Sequence, residues 1–334
     1  MKKRFLQIFA VIKRLPVRLG RGIKKIFDTW PKAFIGTVVL AVVLYYPAGG
    51  LLSEKVDRTP DYDFSSLPAE QSQGVEMAAY LINREVNEHI WTANLPFFFP
   101  ASSLDNMPNF QTGIMRGLAD IVKVMASQVQ CANDEKAGQC LHDAAKLLSY
   151  PGNVWLFAPD NKLKTAPSSS SQYRKARKKL KDLNRALKEE KCFWVRDEYG
   201  LAAINRAVIR GLSKTANRIE NEIREGSSRW TDSRADDVFY FSQGRIYAYM
   251  TVLKKLGRDY KQVLMAGNLY PEWTVMLRAL QTGTELNPSV VVNGGLNAEM
   301  KANHLISLGY YVVKAENILM KINVILNGEK ENAH

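Results

Sequence analysis

From Ala33 to Ser53 the chain reads AFIGTVVLAVVLYYPAGGLLS, 21 residues without a charge. As a helix rising about 1.5 Å per residue, this run would be about 30 Å long, the thickness of a bilayer's hydrocarbon core. Trp30 lies at one end and Tyr45–Tyr46 near the other, where amphipathic rings prefer a membrane interface. Pro31 suits a first helical turn, and Pro47 with Gly49 and Gly50 forms a natural exit. The regular apolar part, Ala33–Tyr46, is only 14 residues, so the span is short and the Pro-Gly region belongs near the outer interface.

What precedes the run gives it a direction. Residues 1–32 hold ten Lys and Arg against one acid, Asp28, while the other 302 residues carry 36 basic and 32 acidic groups. Nine of the thirteen net positive charges therefore sit in the leader. The nearly balanced remainder argues against a nucleic-acid-binding body. Under the positive-inside rule the N-terminus stays cytoplasmic and residues from about 54 onward are exported. A cleaved signal peptide has a similar apolar length, but a 32-residue basic leader is too long for one. The ten flanking cations argue against a buried core helix. A mitochondrial presequence with a stop-transfer helix would share the pattern. Within the leader, Phe5, Phe9 and Ile12, then Ile23, Ile26, Phe27 and Trp30, recur at helical spacing. It either lies on anionic lipid, each cation adding about 1 kcal/mol, or serves as a topology signal alone.

The rest of the chain reads as helices. After the basic segment 1–32 and the anchor 33–52 comes a polar, proline-bearing tether, 53–66, then a first helical region, 67–159. Its helices are expected at about 67–90, opened by Ser66 and Pro68, at 110–130 with Ile114, Leu118, Ile121 and Met125 on one stripe, and at 138–149. Residues 160–172, DNKLKTAPSSSSQ, read as a flexible linker. A main bundle follows over 173–328, with a tail at 329–334. Tyr173, Ala176, Leu180, Leu183 and Leu187 form a coiled-coil-like seam on a helix whose many cations suit a solvated outer face. Further helices are expected at about 198–225, 233–257, 259–267, 271–283 and 296–327. With little or no β pattern and no fixed repeat, the fold class is all-α: one transmembrane helix, then a multi-helix body.

Chemistry is sparsely signalled. There is no zincin, nucleophile-elbow, P-loop or dinucleotide motif, and no metal or cofactor is expected. EVNEH at 85–89 has Glu85 where an inverted zincin needs a histidine. Among Cys131, Cys140 and Cys192, the first two could close a small disulfide loop through CANDEKAGQC, with Cys192 a buried thiol. The densest polar–aromatic stretch is RADDVFYFSQGRIYAYM, 234–250. On a helix, Asp236, Tyr240, Gln243 and Tyr247 share a face, with Asp237 and Arg245 beside it. Such a lining suits a glycan or peptide cleft, and it equally suits polar contacts inside a bundle. His304 falls on the face of Met300, Leu308 and Tyr311. In NLPFFFPASSLDNMPNFQTG, Pro96, Pro100 and Pro108 deny regular helix, so Phe97, Phe98 and Phe99 lie on extended chain. They form either a packing plug or a surface for a membrane or protein partner.

YYPAGG, NLPFFFPASSLDNMPNFQTG, RADDVFYFSQGRIYAYMTVLKKLGRDY and NGGLNAEMKANHLISLGYYVVKA resemble the bacterial family catalogued as domain of unknown function 2333. The resemblance extends from the anchor nearly to the C-terminus and assigns no chemistry to any residue. It implies a Gram-negative inner-membrane protein with a helical periplasmic body. Two functional readings follow. One is a non-enzymatic protein that binds or scaffolds another envelope component. The other is a periplasmic enzyme acting on cell-wall glycan or lipid through Asp236, Asp237 or His304.

Overall fold

The computed structural model describes residues 31–52, 56–59, 62–96, 106–131, 134–156, 165–226, 233–288, 291–293 and 303–328. The first helix, α1 (Pro31–Leu52), is 22 residues long and belongs to one compact unit; the body, from Glu54 on, is another. The described side chains of α1, Ile35–Tyr45, are all exposed, eight of them large and apolar. Among the described residues no helix is long and apolar enough to cross a membrane.

The body is helical, as its periodicity requires. α2 (Gln73–Asn83) continues into a single π-turn, Arg84–Glu88. α3 (Asn106–Met125) is followed by the short α4 (Glu135–Gly138) and α5 (Cys140–Leu148). α6 (Ser169–Lys188), α7 (Glu198–Gly226) and α8 (Ser233–Asp259) are the long central helices. α9 (Lys261–Ala266), α10 (Tyr270–Glu285) and α11 (His304–Gly328) complete the fold. The strands described are β1 (Val129–Gln130) and β2 (Phe193–Trp194), an antiparallel pair with Val129 opposite Trp194.

α8 is the axis. It packs against α2, α3, α7 and α10, with α5 and α6 covering α2 and α3, and α11 lying on α7 and α10. Val238 to Leu253 are buried except Phe241, so the helix has no solvent face over this length. The apolar stripe Phe239, Ile246, Met250 and Leu253 and the polar face of Tyr240, Gln243 and Tyr247 are both interior. A helix surrounded on all sides need not be amphipathic. Its approach to α3 is set by glycine. A Cβ on Gly113 would collide with the Phe241 carbonyl oxygen, and one on Gly244 with that of Phe110, so here the two backbones touch. The seams expected on α3 and α6 are buried as read, among them Ile114 and Leu180 at 0% exposure.

Several boundaries differ from the sequence expectation. α2 starts at Gln73 rather than near 67, because Ser72 caps it: its Oγ accepts from Val75 N at 3.1 Å. Asp259, ending α8, accepts from Ser72 Oγ and from the amides of Gln73 and Gly74 at 2.6–3.0 Å, so the cap draws on a distant carboxylate. Pro108 does not exclude helix; it lies in the first turn of α3, where no amide donor is required. Ser169–Gln172, read as linker, form the first turn of α6, capped by Ser168. Residues 160–164 of the expected linker lie outside the described residues. The tether is docked rather than free: Val56, Tyr62 and Phe64 pack against the core. The expected first helical region and main bundle form one compact unit, joined by α3 against α8.

The disulfide pairing also needs correction. Cys131 bonds Cys192, not Cys140, with Cα atoms 4.2 Å apart. The register of β1 with β2, continued by one residue, sets Cys131 opposite Cys192. Cys140 is a free thiol 5% exposed in the first turn of α5, its Sγ donating to Lys136 O at 3.3 Å. Burial pushes this thiol up from its ordinary acidity.

Candidate functional site

The polar face read on 234–250 becomes a built interior rather than an open cleft. Gln243 accepts from Arg58 Nε at 2.9 Å and donates to Leu286 O at 2.7 Å. Arg58 also donates to Asn287 Oδ1 and stacks near the Tyr240 ring. Tyr247 donates to Thr59 O at 2.5 Å and accepts from Arg84 Nη1 at 2.7 Å. Residues 56–59 and 62–64, within the segment 53–66 expected to be a tether, thus cover this face of α8 as a strap.

Beneath the strap lies a charged pair in the π-turn. Arg84 and Glu85 are 1% and 0% exposed, joined from Arg84 Nε to Glu85 Oε1 at 2.7 Å. Arg84 also donates to Tyr62 Oη at 3.2 Å and lies 3.5 Å from the Asp57 carboxylate. Burial alone would pull its acidity constant down, but Glu85 and Tyr247 beside it outweigh that and hold the guanidinium charged. Burial also drives the Tyr247 hydroxyl above the ordinary tyrosine range. At Asp57 burial opposes ionisation, yet the two donors of Thr59 and the charge of Arg84 leave its carboxyl below the usual value. The widened turn directs Arg84 and Glu85 inward, where a regular helix would continue its four-residue spacing.

Asp236 and Asp237 are half-buried at the start of α8. Asp237 accepts from Asn109 Nδ2 at 2.6 Å and lines a shallow cavity of about 490 Å³ with Arg218, Glu222 and Arg234. His304 is engaged elsewhere: its Nδ1 accepts from Val292 N and its amide donates to Val292 O, both at 3.0 Å, bracing the entry to α11. The sequence-predicted group is therefore divided between the strap interface, this shallow cavity and the α11 brace. Phe97, Phe98 and Phe99 lie outside the described residues. Their described neighbours are anchored, Trp91 Nε1 donating to Gly152 O and Asn94 Nδ2 to Val154 O. Among the described residues there is no cluster of His, Cys, Asp or Glu able to hold a metal.

The concave site lies between α3 and α7, over α8. Its cavity is about 460 Å³, with Arg116 and Lys123 on α3 and Arg210 and Lys214 on α7. At its floor Asp120 accepts from Arg245 Nη2 at 2.6 Å and from Tyr249 Oη at 2.7 Å. Arg245 also donates to Tyr249 Oη at 2.9 Å through Nε. Burial disfavours the Arg245 charge, and Tyr249 and Asp120 more than compensate. Arg116, Lys123, Arg210 and Lys214 are exposed and, among the described residues, make no ion pair or side-chain hydrogen bond. The small Ala119, Ala207 and Gly211 between them create the hollow; a Cβ on Gly211 would overlap Tyr249 Oη. Arg116 and Lys123 are seven residues apart, about two turns, and Arg210 and Lys214 are four apart, so each pair shares a face of its helix. That spacing was visible in the sequence, but nothing there said that the two faces meet.

A second surface is apolar. On the outer side of α11, Ile306, Tyr310, Val313, Met320 and Val324 are 39–69% exposed, opposite the buried stripe that packs on α7 and α10.

No curated protein and no solved structure matches the chain. Residues 196–328, which run from just before α7 to the end of α11, match a family model. Two of the four stretches that carry the sequence resemblance fall inside the match; YYPAGG and NLPFFFPASSLDNMPNFQTG lie outside it. The family is described as uncharacterized protein conserved in bacteria (DUF2333), and residues 196–328 are similar to it.

Proposed function

We propose that this is a single-pass protein of the bacterial inner membrane whose exported helical body binds or scaffolds another component of the envelope. The observation that carries the reading is α1, a 22-residue helix that carries no charge from Ala33 on and whose described side chains, Ile35–Tyr45, are all exposed. An apolar helix whose described side chains are all exposed calls for an apolar solvent, and a helix satisfies its own backbone there. The ten cations of residues 1–32 set the N-terminus inside. The Cys131–Cys192 bond supports an oxidising compartment for the body. The hollow between α3 and α7 and the exposed face of α11 supply surfaces on which a component could be held.

The test is topological. The full chain with alkaline phosphatase fused after His334 should resist carbonate extraction from membranes and show phosphatase activity in intact cells. Release by carbonate, or an inactive phosphatase beside an active cytoplasmic reporter at the same position, would overturn the reading.

A further inference from the structure

We infer that the hollow between α3 and α7 is a binding site for a phosphate-bearing anion, held by Arg116, Lys123, Arg210 and Lys214. This deepens the binding role proposed above; its chemistry rests on the hollow alone.

The charge balance at the site is the first argument. Asp120 is the carboxylate among the lining residues, and Arg245 already neutralises it at 2.6 Å. The four remaining cations face one concavity without a partner among the described residues. Like charges gathered round one hollow repel each other, and a multiply charged anion relieves that repulsion. The neighbouring shallow cavity is a built-in contrast. There Arg218 and Arg234, with Lys214 shared between the two cavities, line the wall together with Glu222, Glu225 and Asp237, so acids match cations in number.

Shape and chemistry narrow the class. A cavity of about 460 Å³ is the size of a small-ligand site, about 300–1,000 Å³. Its apolar lining is small, Ala119, Val124 and Ala207, whereas protein partners are usually gripped by aromatic residues. Two arginines supply planar forks suited to phosphate oxygens, and two lysines add point charges on flexible stems. The floor is preorganised, since Asp120, Arg245 and Tyr249 hold one another and leave the outer cations to the ligand. The Ser127 and Ser149 hydroxyls donate to Val124 O and Ala145 O, so the donors available are cationic.

The experiment uses the full chain in neutral detergent, titrated by calorimetry with inorganic pyrophosphate. The cleft variant R116Q/K123Q/R210Q/K214Q is compared with K175Q/K178Q/K188Q/K261Q, which removes the same charge from exposed positions elsewhere. Wild type and the control variant should bind alike, with affinity falling as salt rises, and the cleft variant should lose at least tenfold. Far-UV dichroism checks that both variants fold, which the exposure of all eight side chains favours. Displacement of pyrophosphate by dihexanoyl phosphatidylglycerol at lower concentration than by glucose 6-phosphate identifies a lipid headgroup; the reverse order identifies a soluble phosphate. Either order supports the site. Equal pyrophosphate affinity in the cleft variant, no binding by wild type at millimolar concentration, or preference for poly-glutamate over pyrophosphate would overturn it. Because the titration needs no export or membrane insertion, it can fail while the topology test succeeds.

Discussion

Replacing Arg84 by Met keeps an unbranched apolar stem in the buried position and removes the charged guanidinium. In the native π-turn, Arg84 makes one bond to Glu85 at 2.7 Å, one to Tyr247 at 2.7 Å and one to Tyr62 at 3.2 Å. Without it the Glu85 carboxylate, 0% exposed, loses its guanidinium partner and has His89 Nδ1 at 3.9 Å. Removing one partner of a buried pair costs about 3–5 kcal/mol, mostly the charge left behind. Glu85→Gln removes a charge-assisted hydrogen bond, costing about 2 kcal/mol, while Arg84 keeps its two tyrosines and Asp57. If the sites were independent, the double variant would lose about 5–7 kcal/mol. The structure predicts far less, about 3 kcal/mol, because neither charge remains to be stranded. The coupling should therefore be at least about 2 kcal/mol. Urea unfolding of the full chain in neutral detergent, followed by tryptophan fluorescence and far-UV dichroism, measures all four corners of the cycle. A double variant as unstable as the sum of the single variants, within about 0.5 kcal/mol, would refute the pairing.

Two further outcomes are expected. Gly113→Ala and Gly244→Ala should each cost at least about 2 kcal/mol in the same unfolding assay, because each new methyl meets a backbone carbonyl across the α3–α8 contact; a neutral effect would mean that the helices can separate freely. Cys131→Ser should lose about 4 kcal/mol on the chain-entropy estimate for a 61-residue closure, Cys192→Ser the same, and Cys140→Ala about 1 kcal/mol. Non-reducing peptide mapping should link the peptides of Cys131 and Cys192; a link from Cys131 to Cys140 would contradict the strand register.

Much of the fold was legible because its signals are local. The three- and four-residue spacing of Ile114, Leu118 and Ile121 on α3, or of Leu201, Ile204 and Val208 on α7, marks which side of each helix must leave water. The segregation of ten cations ahead of an uncharged run is likewise a property of adjacent residues. α8 resisted this reading. A helix enclosed by four others buries its polar residues too, so Gln243, Arg245 and Tyr247 resembled a binding face until their partners were located.

Those partners are distant in the chain. Gln243 meets Arg58 from 185 residues away, and Tyr247 meets Arg84 from 163. Cys131 finds Cys192 rather than the nearer Cys140 because two short strands pair across 61 residues. The same holds for the hollow. Arg116 and Lys123 on one helix and Arg210 and Lys214 on another are unremarkable surface cations until α3 and α7 are laid side by side over α8. Periodicity is written residue by residue, so the sequence alone determined the helical class and the inner side of most helices. Which buried polar groups satisfy one another, and which cations share a cavity, depends on how helices close over long loops, and only the tertiary structure decided that.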